Sequence, residues 1–377
     1  MAGIYLHIPF CKKRCIYCDF FSTTASEKKT SYISALCKEL ENRKDYLNNE
    51  TIDTIYFGGG TPSQLSHDDF IRIFSTISRF YNVNKEAEIT LEANPDDLTD
   101  EYLESISTLP FNRLSMGIQT FNDDTLQLLR RRHNSAQAIE AFNRCRKHGF
   151  QNISIDLIYG LPGETEELWN NDLDIAVGLK PEHISAYHLI YEEGTPLYKL
   201  REENKVTETD EDLSNTFFEI LIKRLSEAGY VHYEISNFAL PGMHSRHNSG
   251  YWTGMKYIGC GPSAHSYDGK SRQWNIASLD EYIIGTNNGL DVSETETLDI
   301  YTRYNDFVIT SIRTMWGMPM EKLKTEFGTA LYDYCLKMAA PHIKNGKLTI
   351  ENGVLRLTHE GIFISDGIMS DMLWVED

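Results

Sequence analysis

No stretch of this 377-residue chain approaches the roughly 20 apolar residues that a bilayer-spanning helix needs. Its opening residues, Met1-Ala2-Gly3-Ile4-Tyr5-Leu6-His7-Ile8-Pro9-Phe10, carry neither a basic leader nor an apolar core of signal-peptide length. A soluble, cytoplasmic protein is therefore expected, in a reducing compartment where thiols stay free. Basic residues are also short: 36 Lys and Arg face 55 Asp and Glu, for a net charge of -19. Such a balance repels a phosphate backbone, excludes nucleic acid as an expected partner and disfavours an anionic membrane surface. Internal repeats and low-complexity tracts are missing too, so disorder is expected only in short loops. Four of the seven cysteines, Cys37, Cys145, Cys260 and Cys335, stand alone without a CxxC partner. That removes the second ligand pair on which a structural zinc site usually draws.

The other three form the run Cys11-Lys12-Lys13-Arg14-Cys15-Ile16-Tyr17-Cys18, a CxxxCxxC spacing directly after a short apolar stretch. Three thiolates so spaced can hold one iron–sulfur cube and leave its fourth iron without a protein ligand. An open coordination position lets a metal centre meet a small molecule, which points to chemistry rather than electron storage. Two plainer readings stand beside it: a zinc knuckle with His7 as fourth ligand, or a disulfide pair with a spare thiol.

Apolar, β-branched runs recur at 4–8, 52–57, 88–93, 113–118, 153–159 and 183–189, and helical patterns lie between them at 30–46, 68–80, 100–108, 135–148 and 166–177. Six strands alternating with helices predict an α/β protein built of right-handed βαβ units around a parallel sheet. A further helix is expected at 211–228. Between 233 and 274 the composition shifts to Gly, His, Ser, Asn, Trp and Tyr; beyond 279 helices at 302–314 and 320–327 precede short strands at 348–350 and 354–357. The expected division is a barrel domain over 1–232, a connecting segment over 233–290 and a small helical, winged-helix-like domain over 291–377.

In parallel α/β folds the site lies at the carboxyl ends of the strands. Cys11 follows the first strand, Gly58-Gly59-Gly60-Thr61-Pro62 the second, Glu92 ends the third, Gln119 follows the fourth and Asp156 lies within the fifth. Any one of these is as readily a cap or a turn; five on successive strands converge. A sulfonium cofactor at the open iron would use the glycines for close backbone approach, Thr61 for its hydroxyl, Glu92 and Asp156 for ribose hydroxyls and Arg131 for a carboxylate. Tyr5 or Tyr17 could stack or donate near the cluster.

On these motifs the chain resembles the radical S-adenosylmethionine superfamily, from Ile4 to its C-terminus. It is most similar to the oxygen-independent coproporphyrinogen III oxidase group, through Tyr5-Leu6-His7-Ile8-Pro9-Phe10-Cys11, Phe57-Gly58-Gly59-Gly60-Thr61-Pro62-Ser63, Ser115-Met116-Gly117-Ile118-Gln119 and Ile155-Asp156-Leu157-Ile158-Tyr159-Gly160-Leu161-Pro162-Gly163. The resemblance implies a [4Fe-4S] cluster on Cys11, Cys15 and Cys18, and an S-adenosylmethionine site lined by Tyr5, Tyr17, Gly59, Gly60, Thr61, Glu92, Gln119, Arg131 and Asp156. It also implies an open, partial (β/α)6 TIM-like barrel.

Two branches of the group must be separated. The oxidases look like CxxxCxxCxC and carry an N-terminal extension, whereas here Phe20 stands two positions after Cys18 and Cys11 comes almost at once. His247-Asn248-Ser249-Gly250-Tyr251-Trp252 matches the HNxxYW motif of the heme-chaperone branch. That match implies heme as ligand, His247 on its iron and an acceptor hemoprotein, soluble or membrane-bound, as partner. His188, His244, His265 and Cys260 remain rival ligands, and on spacing alone His247 reads more readily as a hydrogen-bonded loop histidine, with Tyr251-Trp252 as a core anchor; the family match reverses that preference. The expected function is thus heme carriage, with the cluster and cofactor setting the carrier's conformation or oligomeric state; the alternative is oxidative decarboxylation of coproporphyrinogen III. The C-terminal region could dock the acceptor, form a homodimer or cover the barrel mouth, and its pattern does not choose.

Overall fold

A computed structural model describes residues 2–375. Six parallel strands stand side by side in chain order: β1 (Ala2–Ile8), β2 (Ile52–Gly59), β3 (Val83–Ala93), β4 (Arg113–Gln119), β5 (Ile153–Tyr159) and β6 (His183–His188). One face of each strand is apolar and packs under the helices, where Ile4, Leu6, Ile8, Leu91, Leu114, Ile155 and Ile184 are fully buried; the alternate positions, among them His7, Thr90, Glu92, Arg113, Ser115, Ser154, Asp156 and Ser185, are polar and share the opposite face. The intervening helices begin on side-chain caps that satisfy their first amides. Ser66 and Asp69 form a reciprocal capping box on the helix His67–Phe80, and Thr165 caps Glu166–Leu179. The six expected strands are all present, in an α/β barrel that stays open.

What keeps it open is the segment that follows. β7 (Val231–Glu234) and β8 (Asn237–Ala239) continue the sheet antiparallel from β6, whereas β9 (Lys256–Cys260) runs parallel along the other side of β1. β10 (His265–Tyr267), β11 (Ser271–Asn275) and β12 (Ser293–Thr297) extend that edge, giving twelve strands in one sheet. Residues expected to connect two domains are thus woven into both edges of the first. Gly259 is required here: a Cβ would fall 2.1 Å from the His265 carbonyl oxygen.

The C-terminal region has its own core, built on Tyr304, Val308, Leu323, Leu331, Cys335 and Leu355. Helices Ile300–Ile312, Met320–Lys344 and Ser365–Met372 pack with a small antiparallel sheet of β13 (Met318–Pro319), β14 (Leu348–Glu351) and β15 (Val354–Leu357). The long helix was expected to stop at Phe327; Gly328, at φ +81°, breaks it there, and a second helical stretch runs on to Lys344. Among the described residues no helix is long and apolar enough to cross a membrane.

Candidate functional site

The cysteine loop leaves β1 and is closed at its neck by Cys11 N–H to Thr23 O at 2.8 Å and Thr23 N–H to Pro9 O at 2.7 Å. Inside it, Ile16 acts as an apolar anchor, buried with Leu129, Leu161, Leu189 and Leu197. Lys12 forms a second anchor, its Nζ 2.7 Å from Asp97 Oδ1. Asp97 is buried at the foot of β3 and also accepts from Ser63 at 2.9 Å, Gln64 at 2.5 Å and Arg132 at 3.1 Å. All three cysteines are free thiols and half-buried. Burial pushes the Cys11 thiol up and that of Cys18 to about 11.

Two hydrogen bonds aim at these sulfurs from residues the sequence had grouped with them. Thr61 Oγ1 donates to Cys11 Sγ at 3.3 Å, and Arg131 Nη1 to Cys15 Sγ at 3.3 Å. Donors directed at thiol sulfur suit a thiolate ligand set, whose charge they offset. The zinc alternative loses its fourth ligand, because both His7 ring nitrogens are taken, by the Tyr5 hydroxyl at 3.2 Å and by Phe21 O at 2.8 Å. Among the described residues no three His, Cys, Asp or Glu side chains converge as a single-ion ligand set.

Arg131 arrives at the end of a short helix, Asp123–Leu128, that the sequence reading missed; Arg130 turns the chain at φ +61° and aims its neighbour inward. Nη2 of Arg131 donates to Asn94 Oδ1 at 2.7 Å and to Gly117 O, leaving Nε buried without a partner. The free bidentate fork expected for a carboxylate is therefore not present, and one donor remains to be satisfied. Gln119, at φ +76°, holds its amide over Gly117. Gly59, at φ +105°, could not carry a Cβ, which would meet the His7 ring at 2.7 Å.

Glu92 on β3 and Asp156 on β5 lie on either side of Ser115 of the intervening β4. Glu92 accepts from the Tyr56 hydroxyl at 2.7 Å, and burial raises its pKa to about 7, against that hydrogen bond. Asp156 accepts from Ser115 at 3.3 Å and is likewise raised by burial. Below them lies Arg113, 1 % exposed, with Nε and Nη1 unpartnered, a buried cation that favours both carboxylates in their charged form. Tyr5 stacks on Tyr56, ring centroids 6.2 Å apart, and Tyr17 packs with the Ile16 anchor. Tyr56, Asn94, Asp97 and Arg113 escaped the sequence reading, and Ser115 entered it only inside a motif, being ordinary strand and loop residues until the sheet register sets them beside the cofactor residues.

His247 is buried among hydrogen-bond partners. It sits on the helix Arg246–Thr253, whose first amides are capped by Ser245 and Glu88, with His247 N–H to Glu88 Oε1 at 2.9 Å. The side chain is 1 % exposed; Nδ1 lies 2.8 Å from Thr54 Oγ1 and Nε2 2.8 Å from the Tyr251 hydroxyl. Its ring stacks on Tyr56 at 5.0 Å, and burial, with Arg113 nearby, lowers its pKa to about 3. With both nitrogens hydrogen-bonded inside the fold, His247 would have to give up one of these bonds to meet an iron. Cys260 is fully buried and its thiol pushed well up. His188 Nε2 meets Ser214 Oγ at 2.9 Å, and His244 packs between Tyr233 and Trp316.

What Tyr251 and Trp252 do face is a cavity of about 980 Å³ between the barrel mouth and the C-terminal helices. Tyr5, Phe20, Tyr251, Trp252, Trp316 and Phe327 give it aromatic walls, and Arg272, Arg303 and Lys322 give it cations. Phe20, 63 % exposed, connects it to the cysteine loop. The Trp252 Nε1 is buried without a partner.

Comparison with known proteins agrees with this geometry. The family model of the radical SAM superfamily matches residues 5–175, and that of the HemN C-terminal domain residues 301–364. The chain is 32% identical over 376 residues to the heme chaperone HemW of Bacillus subtilis, covering 99% of each. It is 33% identical over 376 residues to the heme chaperone HemW of Mycobacterium tuberculosis, covering 98% of this chain and 94% of that one. Coproporphyrinogen III oxidase (HemN) from Escherichia coli shares its fold at a TM-score of 0.86 and 24% identity, over 98% of this chain and 89% of that one.

Proposed function

The chain belongs to the radical SAM superfamily and, within it, to the family of the heme chaperones HemW, and from that membership we propose that it binds heme and passes it to an acceptor hemoprotein. The observation that carries this reading is the aromatic cavity of about 980 Å³, large enough for a planar macrocycle and joined to the cysteine loop through Tyr5 and Phe20. Phe20, where the resemblance places a cysteine in the oxidases, favours carriage over decarboxylation.

Cys11, Cys15 and Cys18 would hold a [4Fe-4S] cluster, and Gly59, Gly60, Thr61, Gln119 and Arg131 the amino-acid end of S-adenosylmethionine. Glu92 and Asp156 would take its ribose hydroxyls, with Tyr5 and Tyr17 alongside. Bound there, the cluster supplies an open iron and an electron for the sulfonium. The protein's own part is to keep the site dry and oriented: Thr61 and Arg131 donate to the ligand sulfurs, and Asp97 holds the loop by Lys12. The unpartnered Nε of Arg131 suits an acceptor on the cofactor. Tyr56 links this site to the cavity, donating to Glu92 on one side and stacking on His247 on the other, so that cofactor occupancy can bias the wall on which heme rests. A cytoplasmic carrier, meeting a membrane-bound acceptor through that acceptor alone, and a homodimer in one of its states complete the proposal.

Anaerobic reconstitution followed by hemin titration, then mixing with candidate apo-hemoproteins, tests it. Stoichiometric uptake and transfer are expected, with no protoporphyrinogen IX formed from coproporphyrinogen III in the presence of reductant and S-adenosylmethionine. Formation of that product without heme transfer would reject the carrier reading.

A further inference from the structure

His247 is buried with both ring nitrogens hydrogen-bonded, and the cavity itself offers a histidine that is freer to meet an iron. His265, on β10, is one of two histidines among the residues that line it; the other, His7, has both ring nitrogens bonded. Among the described residues no hydrogen bond engages the ring of His265, which is exposed and has only Trp274 beside it, centroids 6.3 Å apart. Its backbone is rigidly held. The strand pairs His265 with Trp274, Ser263 makes the preceding turn at φ +62°, and Gly259 lets the His265 carbonyl approach closely. The side of the ring that faces the protein is partly desolvated, and with the Arg272 charge nearby this keeps the imidazole pKa below its ordinary value, so the neutral form that binds metal prevails near pH 7.

The cavity lining carries Arg272, Arg303 and Lys322 together with the acids Asp19, Asp306 and Glu326. Arg272 is already paired with Asp306, and Lys322 lies 3.9 Å from Glu326. Arg303 has no ion pair and no side-chain hydrogen bond among the described residues, although the protein carries a net charge of -19. Arg303 feels the Asp299 carboxyl at the head of its own helix but makes no close ion pair there, so its guanidinium remains available to an anion beside the aromatic wall. Iron protoporphyrin combines the three features this cavity would recognise: a flat apolar face, a metal seeking nitrogen and carboxylate arms.

Resting on the heme reading above, we propose that His265 ligates the iron and that Arg303 receives a propionate, whereas His247 is a positioning residue that orients Tyr251 in the cavity wall. His247 then acts through its hydrogen bond to the Tyr251 hydroxyl, and the motif contributes a surface rather than a metal ligand.

The test uses the full-length, anaerobically reconstituted protein titrated with hemin, read by electron paramagnetic resonance and resonance Raman of the ferric complex. His265→Ala is expected to lose the imidazole-ligand signature and at least tenfold in affinity, with the signature restored by free imidazole. His247→Gln should keep the signature even where affinity falls. Arg303→Gln should abolish the preference for hemin over its dimethyl ester while leaving the ligand signature in place, which also reports that the fold is intact. An unchanged spectrum in His265→Ala, or a signature lost in His247→Gln and restored there by imidazole, would overturn the ligand assignment alone. Failure of the unmodified protein to bind hemin would overturn the heme reading itself and this assignment with it.

Discussion

The guanidinium of Arg313 lies over the indole of Trp252, 4.0 Å from the ring centroid. It joins two parts of the molecule, since Trp252 belongs to the barrel's Arg246–Thr253 helix and Arg313 caps the Ile300–Ile312 helix of the C-terminal region. The same side chain lies 3.5 Å from Glu234, buried at the end of β7. A partly desolvated cation–π contact is worth roughly 1–2 kcal/mol. Arg313→Met, which keeps the aliphatic stem, should therefore lower stability by about that amount and speed amide exchange in 300–312 more than in the barrel strands. A double-mutant cycle with Trp252→Leu should return a coupling near 1 kcal/mol; additive effects would show that the two regions are held together elsewhere.

His247 makes an acid-side prediction. Its folded pKa is lowered to about 3 by burial, so the folded state must exclude the proton that the unfolded chain takes up below its ordinary value near 6.5. The stabilising effect of a neutral His247 is present above pH 6.5 and lost as pH falls, by about 2 kcal/mol between pH 7 and pH 5. Urea denaturation of the wild type and of His247→Gln should show curves that converge as pH drops. At pH 7 the variant, with Thr54 and Tyr251 left imperfectly paired, should be less stable by about 1–3 kcal/mol.

Much of this architecture was legible because parallel strands under helices leave a plain trace: runs such as Ile153–Tyr159 keep one face apolar, with Ile153, Ile155 and Leu157, while Ser154 and Asp156 fall on the other. The CxxxCxxC loop and the triple glycine were visible for a similar reason, since each needs its residue types locally. The burial of His247 was not legible, because a motif reports residue identity and not which way a helix faces; only packing against Tyr56 and Thr54 decides that. Asp97 could not be found at all. Its partners lie 85 and 35 residues away, at Lys12 and Arg132, and nothing in a run of acidic loop residues marks the buried one.

Asp97 consequently carries a prediction of its own. It is the single carboxylate into which Lys12, Ser63, Gln64 and Arg132 all donate, and Lys12 is the residue after the first cysteine. Removing one partner of a buried charge pair costs about 3–5 kcal/mol when both charges are buried, and less here because Lys12 is exposed. Asp97→Asn should cost about 1–3 kcal/mol and loosen the loop. Iron and sulfide per chain after anaerobic reconstitution should fall, and the brown colour should fade faster in air. Full cluster content with unaltered oxygen sensitivity would mean that Ile16 alone anchors the loop.

Glu92 supplies the opposite pH dependence and a way to read the cofactor site without turnover. Burial raises its folded pKa to about 7, above the unfolded value near 4.5, so in that interval the folded protein holds a proton that the unfolded chain has released. That stabilisation is complete below pH 4.5 and lost as pH rises through 7, on the order of 2 kcal/mol between pH 5 and pH 8. Glu92→Gln, which retains an acceptor for Tyr56, should remove this slope, so that the cofactor-free variant matches the wild type at pH 5 and exceeds it at pH 8. Its affinity for S-adenosylmethionine should nevertheless drop about tenfold or more, since a charged acceptor for ribose hydroxyls is gone. Calorimetric titration of the wild type at pH 6.5 in buffers of different ionisation enthalpy should then show proton release on binding, as the ligand draws Glu92 into its charged form, and the release should vanish in Glu92→Gln. Equal release by both proteins would assign the proton to another group in the cleft, with Asp156, also raised by burial, the next to substitute.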